Sequence, residues 1–406
     1  MSRIRNARSK SNMIFLSIIF LMLVILIDTS LIKFYDLFDK QGIPMIKKIS
    51  FGLMAVATLI VQFVVIHRIR NTSGNQKSAT KIKVEQMYRI TKLSLFFLMI
   101  IFSLLIFEIF YLNYYHTVLI IVIILVSYGT GSILIIKNLQ LFVSWLRLKR
   151  GIVFGLYTLS MSMITFNLVM TALLVSASLA ERPTETRHFV GGTMDISGGK
   201  YLFISDLFRI SAVLSFISIW ITTVSLMRTS RDQIIGKVLY WIILILPLVY
   251  FIISYFADKI LSGLLIPYLR SDPILISVIF TLIFVLSKPI GGVIFGVLFW
   301  RISRLVSFEK GLRDYMVISG YGFLLLFSAN QSSSLVLAPY PPFGIITITV
   351  LILATYFVLI GIYRSAIMAS GNAELRKSIF KIAGESQLLD LIGRTEMEKR
   401  VRNTVT

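Results

Sequence analysis

With 56% of its 406 residues hydrophobic and only 15% charged, the chain departs from soluble domains, where roughly 25% are charged, and reads as an integral helical membrane protein. In a soluble protein a net charge of +22 would suggest nucleic acid; here it is what basic residues gathered in cytoplasmic loops produce, and no nucleic-acid partner is expected. The lack of cysteine excludes disulfides, thiolate nucleophiles and cysteine-ligated metals.

Residues 1–12 are basic, with Arg3, Arg5, Arg8 and Lys10. The apolar run behind them is longer than a signal-peptide core and has no small-x-small cleavage site, so it predicts an uncleaved first span. Ten apolar segments stand out, at 13–32, 49–66, 93–112, 117–136, 152–178, 204–227, 238–256, 274–300, 315–337 and 343–366. With the N-terminus inside, thirty of the 41 lysines and arginines fall in cytoplasmic stretches and nine outside; Arg209 and Lys288 lie within spans. That asymmetry predicts ten spans with both termini cytoplasmic. The expected fold is all-α: a basic N-terminus at 1–12, a polytopic ten-span transmembrane bundle at 13–366 and a cytoplasmic amphipathic helical tail at 370–406.

The connections are short and leave no room for a soluble catalytic domain. Residues 67–92 are polar and basic around a flexible NTSGNQKS centre, which suits either anionic lipid or plain solvation. Residues 138–148, NLQLFVSWLRL, read as an amphipathic segment along the inner interface. The stretch 180–203 carries two Gly-Gly pairs and either covers the outer mouth or simply joins two spans. SYGTG at 127–131 and SGYG at 319–322 look alike, but their depths do not suit an inverted repeat.

The eighth run, ILISVIFTLIFVLSKPIGGVIFGVLFW, holds one charge near its middle. Lys288 lies roughly 18 Å from the Trp300 end and 21 Å from the other. Its stem cannot reach either headgroup layer, and an unpaired charge at that depth costs at least about 2.5–3.5 kcal/mol. Pro289 breaks the helical ladder, and Gly291, Gly292 and Gly296 admit a close neighbour. Counted from the cytoplasmic ends of their spans, Asp28, Glu108, Asn330 and Lys288 share a depth of roughly 18–23 Å. Asn330 begins a polar run with Gln331 and Ser332 inside SANQSSS. Lys288 is therefore expected beside a carboxylate, Glu108 first and Asp28 second. That pair reads either as a proton-coupled solute or ion site or as a static packing pair. DTS at 28–30 also reads as the outer end of the first span, and Asp206 with Arg209 as an interfacial ion pair. Pro339, Pro341 and Pro342 end the ninth span.

Enzyme signatures are missing: neither G-x-S-x-G nor H-E-x-x-H occurs, and three scattered histidines give no metal-ligand spacing. No catalytic residue, metal or cofactor is expected. In the tail, Leu375, Ile379, Ile382 and Leu389 keep one face apolar, broadened by Leu388, Leu391 and Ile392. Asn372 reads as its N-cap, with Gly384 and Gly393 as breaks. The tail nets +2 and is laced with acid–base pairs at i,i+4, which favours a protein partner or self-association over lipid unless the tail covers itself as a hairpin about Gly384 or the inner loops of its own bundle cover it.

SANQSSSLVLAPYPPFG at 328–344, GIYRSA at 361–366 and LLDLIGRTEMEKRV at 388–401 together resemble uncharacterised multi-spanning membrane proteins of ammonia-oxidising archaea. The resemblance covers roughly the last quarter of the chain, implies a multi-pass protein of an archaeal plasma membrane, and transfers no functional residue. Two functional readings follow: a transporter-like protein binding or moving a small solute or ion, or a membrane sensor or assembly subunit that docks a partner through its tail.

Overall fold

The structure is a computed structural model that describes residues 2–33, 44–71, 78–148, 151–180, 185–186, 199–227, 241, 244–252, 286–305, 310–330, 340–371 and 387–405. Helix α1 runs Ser2–Lys33, α2 Pro44–Asn71, and α3 Ser78–Phe107 before it widens into a π-helical turn, Glu108–Leu112. Asn113 ends that turn in the left-handed region at φ 59°, a conformation asparagine tolerates better than most side chains. Then follow β1 (Tyr115–His116), α4 (Thr117–Leu148), α5 (Ile152–Ala180), β2 (Glu185–Thr186) and α6 (Gly199–Met227). The last described helices are α7 (Ser287–Leu305), α8 (Lys310–Ala329), α9 (Ile345–Gly371) and α10 (Gln387–Val405). The two short strands form one antiparallel bridge, Tyr115 opposite Thr186 and His116 opposite Glu185.

Seven of the described helices are long and apolar enough to cross a membrane: α1, α2, α3 with its π turn, α4, α5, α6 and α9. Their outward faces remain apolar, with Leu16, Leu53 and Leu93 exposed by 62%, 68% and 70%. Such stripes gain nothing from water and suit hydrocarbon, so the chain is a multi-pass membrane protein in contact with a lipid bilayer. Of the other expected segments, 238–256 and 274–300 lie partly outside the described residues, and 315–337 contributes α8 before it too passes outside them.

Helix α9 is apolar on every side, and its most apolar 18 residues are all buried. A helix of that kind belongs in the middle. It is surrounded by α1, α2, α3, α4, α8 and α10. Small residues set its closest approaches. A Cβ on Gly361 would meet the Tyr315 carbonyl at 2.7 Å, one on Gly322 the Val358 amide at 2.6 Å, and one on Gly131 the Leu351 side chain at 3.3 Å. The antiparallel hairpin α7–α8 is built likewise: a Cβ on Gly292 would meet the Leu324 carbonyl at 3.0 Å and one on Gly296 the Gly320 carbonyl at 2.8 Å.

Two expectations are revised. Residues 138–148 do not lie apart along an interface; they continue α4. Their apolar side is consumed within the bundle, with Phe142 stacked on Tyr157 at 4.9 Å and edge-on to Trp145 at 5.2 Å. Gly393 does not break the tail helix. It lies inside α10, where a Cβ would sit 3.0 Å from that of Ala369 on α9, so it permits close packing. Asn372 and Gly384 fall outside the described residues.

Candidate functional site

The start of α7 and the end of α8 meet where the hairpin opens. Pro289 is buried in the first turn of α7, a position at which proline's missing N–H costs no helical bond. Gly291 leaves space for the Phe216 ring of α6, and Gly292 for α8. Beside them the Lys288 ammonium donates to the Asn330 carbonyl at 2.7 Å, just past the last residue of α8. Asn330 keeps its own amide in the ladder, bonded to Leu326 at 3.1 Å. The cation thus sits at the negative end of a helix dipole and satisfies a carbonyl that the helix leaves open.

From Asn330 the network crosses three more helices. Its Nδ2 donates to Asn167 Oδ1 on α5 at 2.7 Å, while its Oδ1 accepts from the Tyr128 hydroxyl on α4 at 3.3 Å. Asn167 Nδ2 donates to Ser211 Oγ on α6 at 2.9 Å, and Ser211 donates to the Phe208 carbonyl at 2.8 Å. Tyr128, Asn167 and Ser211 are buried. Each amide uses its oxygen once as acceptor and its nitrogen as donor, so one orientation of both side chains satisfies the whole set. A second rung on the α5–α6 seam joins Ser160 and Thr222 at 2.9 Å. Five helices thus converge on a polar centre within an apolar bundle.

The expected carboxylate partners are elsewhere. Glu108 lies in the π turn that closes α3, accepting from the His116 backbone N–H at 2.9 Å and from His116 Nδ1 at 2.6 Å. A straight span would hold it well inside the membrane; the helix instead widens and the chain reverses at Asn113, so Glu108 fastens the reversal. Tyr340 supports the same turn by donating to the Ile109 carbonyl at 3.0 Å. Asp28, on α1, is fully buried and caps α9: it accepts from the Gly344 and Thr347 amides at 2.9 and 2.8 Å and from the Thr347 hydroxyl at 2.8 Å. A carboxylate at a helix N-terminus satisfies orphan amides and the dipole together. Neither acid forms an ion pair with Lys288, so the expected Lys288–Glu108 and Lys288–Asp28 pairs are absent.

Of the expected site residues, then, the structure joins Lys288 and Asn330, places Pro289, Gly291 and Gly292 around them, and separates Glu108 and Asp28. Gln331 and Ser332 lie outside the described residues. Tyr128, Asn167 and Ser211 are not legible as site residues in the sequence: Tyr128 stands in the SYGTG motif, and Asn167 and Ser211 are polar residues within apolar runs. The centre is donor-rich and carries one positive charge, which suits a solute or ion offering negative charge or acceptor oxygens. Among the described residues no three His, Cys, Asp or Glu side chains are grouped to hold a metal ion.

Elsewhere, α10 packs on α9 and α4. Ile392 is buried, and the buried Glu396 accepts from the Trp145 indole at 3.0 Å. Within the described part of the tail, Ile392 is thus covered by the bundle, Leu391 is half-buried and Val401 is exposed.

Compared with known proteins, the chain matches no family model, no curated protein sequence and no solved structure.

Proposed function

We propose that the chain is a ten-span plasma-membrane protein of transporter-like function, with both termini cytoplasmic, that binds or moves a small solute or ion at the Lys288–Asn330 centre. The observation that carries this reading is the placement of a lysine, two asparagines, a tyrosine and a serine from five helices in one hydrogen-bonded set. Intramembrane charge and broken helix ends are where transporters hold their cargo. The one-sided distribution of basic residues supports the span count and orientation. Lys288 supplies the positive charge, and Asn330, Asn167 and Ser211 the hydrogen-bonding wall. The sensor or assembly reading draws on an uncovered tail, whereas Ile392 and Glu396, in its described part, are buried.

The test is charge movement in proteoliposomes challenged in turn with chloride, acetate, phosphate, sodium and potassium. The expected result is a response to at least one of the anions that Lys288→Met abolishes while the protein stays folded. Silence towards all five, or a response undiminished in the variant, would count against the proposal.

A further inference from the structure

Helix α4 has 32 residues, about 48 Å at 1.5 Å each, against a hydrocarbon core of about 30 Å. With its first turn held at the β1 reversal, its last dozen residues overhang the opposite boundary, beginning near Lys137. There α4 and α10 enclose an open groove of about 650 Å³. Ile136, Leu139 and Val143 form its apolar wall, nearest the hydrocarbon; Arg147, Lys399 and Arg402 bring three cations to its far half. Gln140 and Ser144 lie between, on the same face of α4, and Lys399 donates to Ser144 at 2.9 Å, tying the two helices together. The described residues that line the groove include no carboxylate.

An apolar wall at the bilayer boundary that grades into three cations matches one kind of occupant. We infer that this groove seats an anionic, phosphate-bearing lipid headgroup, its phosphate among Arg147, Lys399 and Arg402 and the first part of its acyl chain along Ile136, Leu139 and Val143. Basic residues near the surface favour anionic headgroups, and a soluble anion would have no use for the apolar half. The site is separate from the Lys288–Asn330 centre, and it makes α10 a lipid-dependent part of the bundle.

The test uses the full-length protein, freed of lipid and presented with equal phosphatidylglycerol and phosphatidylcholine, the retained lipid being counted by native mass spectrometry. The expected result is retention of phosphatidylglycerol over phosphatidylcholine by roughly tenfold or more. Arg147→Gln with Lys399→Gln and Arg402→Gln should erase that preference. If the triple variant does not fold, Arg147→Gln with Arg402→Gln leaves the Lys399–Ser144 bond in place and should cut the preference severalfold. Equal retention of the two lipids, an undiminished preference in a folded variant, or displacement of phosphatidylglycerol by millimolar inorganic phosphate would each overturn the inference.

Discussion

Asp28 shows most plainly what a single buried acid does here. Its two oxygens accept three hydrogen bonds at the start of α9, so Asp28→Ala leaves buried amides without acceptors. The expected loss is about 1–3 kcal/mol, read as a lowered midpoint in denaturant unfolding of the detergent-solubilised protein. Thr347→Val, which removes one of the three bonds, should cost less. Lys288 and Glu108 supply the second prediction at this scale. Because each has its own partner, Asn330 for one and His116 for the other, the losses for Lys288→Met and Glu108→Gln should add within about 0.5 kcal/mol. A coupling of several kcal/mol in that cycle would restore the buried ion pair. Equal depth made the pair a reasonable expectation from sequence. Depth, however, says nothing of rotation about a helix, and it was counted along an α3 assumed straight to its end. Lys288 and Asn330 passed the same count and do meet, through a backbone carbonyl that no residue-type pattern records.

Packing at the level of elements rests on glycine. Gly361→Ala drives a methyl into the Tyr315 carbonyl and Ser319, with backbone on one side that cannot yield cheaply, and should cost about 1–3 kcal/mol. Gly129→Ala meets nothing within 4 Å and should be neutral or slightly stabilising, since alanine prefers the helix. Thermal unfolding of the two variants side by side checks the contrast. The tail offers the third element-scale expectation: Ile392→Asp should loosen α10 from α9 and raise hydrogen exchange across 387–405, with little change in the spanning helices. Much at this scale was legible beforehand. The apolar runs located the long helices, and the Gly292–Gly296 spacing marked the face that meets α8. Neighbours were not legible, because α9 is apolar all round and its sequence favours no side. Nor was the extension of α4, whose Phe142 and Trp145 would serve lipid and protein equally well by composition.

Among the described residues of the whole molecule, a covered α9 packed among apolar helices, beside a polar centre shared by α4, α5, α6, α7 and α8, is the architecture that the proposed solute site depends on. Its orientation is testable directly. In right-side-out vesicles a membrane-impermeant thiol reagent should label Asn113→Cys and not Ser78→Cys, these positions lying at opposite ends of α3; the reverse pattern would invert the proposed topology. The central claim is that the Lys288–Asn330 centre is a place for a solute and not only polar glue between helices, since intramembrane hydrogen bonds serve both ends. The chain's lack of cysteine makes the decisive measurement possible: Ser211→Cys, a near-isosteric change inside the network, exposed to a small hydrophilic thiol reagent in proteoliposomes, with Leu351→Cys on buried α9 as the inert control. A solute site must open to water, so Ser211→Cys should react well above the control and be protected by whichever anion moves charge. Reactivity no greater than that of Leu351→Cys would contradict the account.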